Sequence, residues 1–252
     1  MIQLKSAREI DTMARAGRIL AATHDVVQAA VRPGISTQEL DELAEKFIRS
    51  HDGALPAFKG LYGFPGAICL SINQEIVHGI PSPKRILKEG DILSVDIGVK
   101  HGGMYADAAK THPVGTISPQ HQRLLDVTKA SLEAGIGAAV LGNHIGDIGH
   151  AVQTVVEAAG FSVVRELVGH GVGFVLHEEI QVPNFGKPKR GTKLMAGMTL
   201  AIEPMVNVGT AAIRTLSDKW TIVSADAKWS AHFEHTVAVT ANGPRILTNL
   251  DS

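Results

Sequence analysis

Cysteine is nearly missing from this chain: Cys69 is the single one among 252 residues. One thiol cannot close an internal disulfide, so a disulfide-stapled secreted scaffold is excluded and a reducing compartment fits. Aromatic residues make up 4%, with Trp220 and Trp229 the only tryptophans, which argues against a base-stacking surface. Charge of one sign is also lacking, since 24 Lys+Arg stand against 25 Asp+Glu for a net charge of −1. No nucleic acid or anionic membrane is therefore expected as a primary ligand. No apolar run is long enough for a transmembrane helix. The segment MIQLKSAREIDTMARAG carries charge throughout, without the apolar stretch of a signal peptide. The expected location is cytoplasmic. There is no Gly/Ser linker, low-complexity tract or charge block to mark a boundary, and 44% apolar residues support one substantial core.

What is present begins with helix signals. Ser6 followed by Glu9 reads as a capping box that opens an apolar-periodic run through Met13, Ile19, Leu20 and Val27. Arg32-Pro33-Gly34 ends that run, and Ser36 with Glu39 opens a second one through Leu40, Leu43 and Phe47. A looped stretch from Gly53 to Gly66 leads to a strand expected over 67–72. The order then repeats. Ser118-Pro119 opens a helix through Leu124, Leu125, Val127 and Leu132, and a second helix is expected from about Ile145 to Ala159, before Gly160. Strand-like runs follow at Val163-Val164, Leu200-Ala201-Ile202 and Thr236–Val239. Two helices and then strands, twice over, suggest two related α+β halves.

The first half also holds Val95-Asp96-Ile97-Gly98 and Tyr105-Ala106-Asp107-Ala108, joined by His101-Gly102-Gly103. A tight turn at His101-Gly102 sets Asp96 directly opposite Asp107, where like charges destabilise a sheet. A metal cation is the natural counter-charge. Three further ligand-type residues stand in the second half. His170 lies in Gly169-His170-Gly171-Val172-Gly173, Glu203 follows Leu200-Ala201-Ile202, and Glu234 enters an apolar strand. Four carboxylates in apolar surroundings are hard to leave unpaired. Basic partners could neutralise them as a structural ion-pair network, but Lys100, Lys110 and Arg214 are the nearby candidates and none belongs to the centre. An oxygen-rich set with one imidazole suits Mn²⁺, Fe²⁺, Co²⁺ or Zn²⁺ better than a structural zinc cage, and can hold two ions if carboxylates bridge.

In order, VDIG, the Asp107 segment, GHGVG, IEPM and FEHT resemble the five metal-binding segments of methionine aminopeptidases, in the short bacterial type I form. Val77–Pro81 (VHGIP), Leu176–Glu179 (LHEE) and Ile213–Thr221 (IRTLSDKWT) extend the likeness over nearly the whole chain. The resemblance implies the pita-bread fold, α+β, with a curved antiparallel sheet, outer helices and pseudo-twofold related halves. It also implies that residues 1–252 form a single catalytic metallo-aminopeptidase domain. The implied ligands of two divalent ions are Asp96, Asp107, His170, Glu203 and Glu234, with Asp107 and Glu234 bridging. Glu203 doubles as proton shuttle, while His177 and His78 contact the substrate; the other histidines, His232 and His235 among them, are read as structural.

Aligned positions suggest that Phe58, Leu61, Phe64, Cys69, Leu176 and Trp220 receive the methionine side chain. Leu61 and Leu176 stand where aromatics are usual, and Phe58 where a smaller residue is usual, so a pocket of altered shape that still prefers methionine is expected. The implied substrates are peptides and nascent chains with an N-terminal methionine before a small residue, met by a monomer near the ribosomal exit tunnel. An X-Pro aminopeptidase or prolidase would share the ligand set, and a non-catalytic pita-bread binding protein the fold.

Overall fold

The computed structural model describes residues 2–252. Both capping boxes form. α1 spans Ala7–Ala30, where the Ser6 amide donates to Glu9 Oε2 at 2.7 Å and the Glu9 amide returns to Ser6 Oγ at 3.4 Å. α2 spans Thr37–Arg49 with the same reciprocal pair between Ser36 and Glu39. Such caps stabilise a helix start by about 1 kcal/mol. α3, Pro119–Ala138, is capped by Ser118 with proline in its first turn. α4 covers Ile145–Ala158, and Asp147 reaches back to accept the His144 amide at 2.7 Å.

α1 and α2 cover a four-stranded antiparallel sheet. Its central strand, Ile92–His101, pairs with Met104–Pro113 on one side and with Leu55–Pro56 and Cys69–Ile72 on the other. Strand alternation sorts the residues. Val95, Ile97 and Val99 enter the core with Leu20, Leu40 and Ile48, which turns Asp96 and Gly98 to the opposite face. The strand expected over 67–72 begins only at Cys69, because the Ala67 and Ile68 amides donate to Asp41 Oδ1 at 2.8 and 3.0 Å instead of to a ladder.

The second half repeats the arrangement. A five-stranded antiparallel sheet runs in the order Gly243–Ile246, His235–Thr240, Thr199–Ile202, Val168–Gly171 and Glu178–Pro183. Leu132 and Ile136 of α3 and Ile145 and Ile148 of α4 pack on its Leu200, Ile202, Val237 and Val239. Two three-stranded sheets complete the strands. Among the described residues, no helix is long and apolar enough to cross a membrane.

The halves are joined where the site lies. The Asp107 amide donates to Thr236 Oγ1 at 2.9 Å, and that hydroxyl donates back to the Asp107 carbonyl at 2.8 Å. The Glu234 amide donates to the Ala109 carbonyl at 2.8 Å, and Thr111 Oγ1 is bonded to both the carbonyl and the amide of His232. A carboxylate of the first half is thereby held beside one of the second.

The hairpin register corrects one expectation. The turn is Gly102-Gly103, closed by the His101–Met104 pair, not His101-Gly102. Both glycines have positive φ, 58° and 82°, as the common two-residue hairpin turn requires. Moving the turn by one residue moves every partner by two. Asp96 therefore faces Ala109 and Asp107 faces Gly98. The two aspartates share a face as diagonal neighbours, not as direct partners.

Candidate metal centre

Five side chains from both halves meet on that shared face. Asp96, Asp107 and Glu234 each offer an oxygen within 4.8 Å of the others, and His170, Glu203 and Glu234 form a second such group. His170 Nε2 lies 3.8 Å from Asp107 Oδ2 and 3.6 Å from Glu203 Oε1. Its other ring nitrogen, Nδ1, sits 2.9 Å from the Gly171 carbonyl. That bond assigns the proton to Nδ1 and leaves the Nε2 lone pair aimed at the carboxylates.

No lysine or arginine lines this cavity of about 440 Å³. Among the described residues, the ion-pair network considered from sequence therefore has no lysine or arginine to complete it. Asp96 Oδ1, Asp107 Oδ1 and Glu234 Oε1 are buried without a hydrogen-bond partner. Burial pushes Asp96 up to about 7, with the Glu203 charge adding to it. Burial likewise raises Glu203 to about 8. Asp107 and Glu234 are raised well above the ordinary carboxylate range, by burial first and then by the neighbouring carboxylates. Burial and the nearby His177 hold His170 down at about 4, so it is a neutral ligand at pH 7. Clustered, orphaned carboxyl oxygens around a neutral imidazole fit divalent cations, which would replace the protons these groups otherwise keep.

His232 was outside the sequence-based set and belongs spatially to this cluster. Its Nε2 lies 3.6 Å from Glu203 Oε2 and 3.9 Å from Glu234 Oε2, and neither ring nitrogen has a hydrogen-bond partner. Its two-residue spacing from Glu234 was the available signal. His235, by contrast, is engaged by Thr248 Oγ1 at 2.8 Å.

Beside the carboxylates is an apolar wall. Phe58, Phe64, Cys69 and Leu176 are buried in one cluster, with Leu61 and Trp220 packed against it. All six residues suggested for the pocket are brought together in this cluster; Phe58, Leu61, Phe64, Cys69 and Trp220 line the cavity, and Leu176 does not. Phe64 meets Trp220 edge to face at 5.2 Å. Gly98 makes room for Phe58, since a Cβ there would lie 2.7 Å from the Phe58 ring. Cys69 pairs with Asp96 across the strands, and burial with the aspartate charges pushes its thiol pKa far up, so it serves as an apolar wall.

His78 and His177 stand on the rim. His78 has a positive φ of 59°, a conformation costing about 1–3 kcal/mol outside glycine and often kept at functional sites. Burial lowers its pKa to about 4, helped by His232 and His177. His177 lies edge to face on His170 at 4.4 Å, and burial lowers its pKa as well. Tyr62, also missed from sequence, lines the cavity and stacks on His177 at 6.3 Å.

Residues 11–241 match the model of metallopeptidase family M24. The methionine aminopeptidase of Clostridium perfringens is 54% identical, covering 98% of this chain and 99% of that one. Methionine aminopeptidase 1 of Bacillus subtilis is 53% identical over 99% of this chain and 100% of its own. The crystal structure of the Thermotoga maritima methionine aminopeptidase superposes with a TM-score of 0.97 at 42% identity, covering 99% and 100% of the two chains. The α+β architecture described above is thus the pita-bread fold of these enzymes, as expected. With its cavity, its carboxylate cluster and these likenesses, the chain belongs to metallopeptidase family M24, in the methionine aminopeptidase branch.

Proposed function

We propose that the cavity hydrolyses the peptide bond after an N-terminal methionine that precedes a small residue, with residues 1–252 acting as one catalytic domain. The observation that carries this reading is the juxtaposition of the orphaned carboxylate cluster with the apolar wall of Phe58, Leu61, Phe64, Cys69, Leu176 and Trp220. Asp96, Asp107, His170, Glu203 and Glu234 would hold two divalent ions (Co²⁺, Mn²⁺, Fe²⁺ or Zn²⁺). Such ions, when bound, acidify an attacking water and polarise the scissile carbonyl.

The chain's own groups do the rest. Glu203, ionised once cations replace the proton that burial otherwise keeps on it, accepts the proton of the attacking water and passes it to the leaving amine. His177, neutral at pH 7, donates a hydrogen bond to the oxygen on which negative charge develops. His78 contacts the substrate amide and keeps the peptide in line. The apolar wall takes the thioether and excludes water from that end of the site.

Substrates of this kind are free peptides and nascent chains, met by a monomer in the cytoplasm near the ribosomal exit tunnel. The single cysteine, which fits a reducing compartment, supports that setting. Near full-length likeness to methionine aminopeptidases disfavours an X-Pro peptidase or a non-catalytic binding protein. Assay of the metal-loaded protein on Met-Ala-Ser and Ala-Pro peptides tests the choice. Release of methionine from the first and inertness on the second are expected; the reverse pattern would overturn the assignment.

A further inference from the structure

We infer that Lys5 is a positioning residue for the cavity, acting through Glu178 on the loop that presents His177. The inference rests on the role proposed for His177. Residues 172–177 connect the strands Val168–Gly171 and Glu178–Pro183. Among the described residues the His177 ring has ring contacts with His170 and Tyr62 and no hydrogen bond. Its place in the cavity is therefore inherited from the loop backbone.

That backbone is anchored at its start, where the Val172 amide donates to the Thr199 carbonyl at 3.2 Å and the Val172 carbonyl accepts from Thr199 Oγ1, and is tied at few points beyond it. The Tyr105 amide donates to the Gly173 carbonyl at 2.8 Å, and the Gly173 amide donates to the Val175 carbonyl at 3.0 Å. A further tie is a side chain: Glu178 Oε1 accepts the Phe174 amide at 3.0 Å, closing the loop from its far end back towards its start. Glu178 Oε2 accepts from the Lys5 ammonium. One carboxylate thus spans the segment carrying Leu176 and His177, and one lysine fixes that carboxylate.

Lys5 is built into the fold for this contact. Its side chain is 0% exposed and that of Glu178 10%. The Lys5 ammonium also donates to the Gln3 carbonyl at 3.0 Å and sits 5.4 Å over the Phe174 ring. The Lys5 amide is anchored to the Gly197 carbonyl at 2.8 Å. Gly173 clears its path: a Cβ there, at φ +155°, would lie 2.4 Å from Lys5 Cε. Lysine is almost never fully buried unless paired, and a buried pair adds little net stability over a well-packed apolar pair. What the pair supplies is direction, because only a charged, hydrogen-bonding group holds Glu178 in the orientation that also receives the Phe174 amide. Lys5 does not line the catalytic cavity, so its effect passes through the loop.

The test compares Lys5→Met, Lys5→Arg, Glu178→Gln and His177→Ala as metal-loaded proteins on Met-Ala-Ser, with imidazole NMR signals of His177 read in the metal-free protein. A small displacement of an aligned group lowers kcat by about tenfold or more while leaving KM within about twofold. Lys5→Met is expected to do this, to keep its metal content, to shift the His177 ring signals and to add little in the His177→Ala background. Lys5→Arg should restore most of the activity. Should Lys5→Met fail to fold, Glu178→Gln is expected to show the same kcat loss and signal shift. A lowered melting temperature with unchanged kcat and unshifted His177 signals would mark the pair as merely structural and overturn the inference. Full additivity of Lys5→Met with His177→Ala would overturn it too. Wild-type kcat in His177→Ala alone would instead sink the role of His177, a separate failure.

Discussion

Stripping divalent metal from this protein should make its stability fall steeply with pH. The metal-free cavity holds Asp96 at about 7 and Glu203 at about 8, against ordinary values of 3.8 and 4.5. Each group therefore binds its proton more tightly folded than unfolded. Stability from a raised carboxylate is complete below the unfolded value and is lost as pH rises through the folded one. His170, held at about 4, works in the other direction, losing stability as pH falls below the ordinary 6.5. A window from about pH 6.5 to 8.5 mostly isolates the carboxylates. Across it, Asp96 and Glu203 together cost the folded state about 2–3 kcal/mol. Asp107 and Glu234, raised further, act with the same sign. For a chain of this size that lowers the melting temperature by about 5–10 °C. Bound cations replace those protons, so the metal-loaded protein should show a much flatter curve. Thermal melts of both forms at several pH values provide the assay. Parallel curves would refute the claim that the cluster is held together by protons in the absence of metal.

Other expectations follow from the same contacts. Glu203→Gln should lower kcat by about 100-fold or more with KM little changed, read by steady-state kinetics on Met-Ala-Ser. Gly98→Val should raise KM for methionine peptides, because its Cβ would lie 2.7 Å from the Phe58 ring; an unchanged KM would show that Phe58 does not shape the pocket. Asp41→Ala should destabilise the fold by about 1–3 kcal/mol in denaturant titrations, since Asp41 Oδ1 accepts two buried amides, those of Ala67 and Ile68, that would lose their acceptor.

Local chemistry was the legible part of the sequence. Ser6/Glu9, Ser36/Glu39 and Ser118-Pro119 start helices because a cap is satisfied within four residues of itself. The five ligand candidates also meet, as the ordered motifs suggested, though their convergence depends on pairing between halves that no local pattern encodes. Register was harder. The turn at Gly102-Gly103 needed the recognition that two adjacent glycines, not a midpoint between aspartates, select the hairpin. His232 is read from sequence as structural because the strand Ser230–His232 ends before Glu234, so strict alternation does not put the two on one face. Tyr62 was invisible for a similar reason: it sits in a short 3₁₀ turn at a positive φ of 51°, where no periodicity predicts which way a side chain faces.

Metal titration of the protein and of its Asp107→Asn and Glu234→Gln variants, followed by calorimetry and by methionine release from Met-Ala-Ser, tests the central claim most directly. Two ions per chain, activity that appears with occupancy, and loss of both on changing either of these carboxylates are the predicted result. Full methionine release by the metal-free protein, or binding untouched by both substitutions, would contradict it.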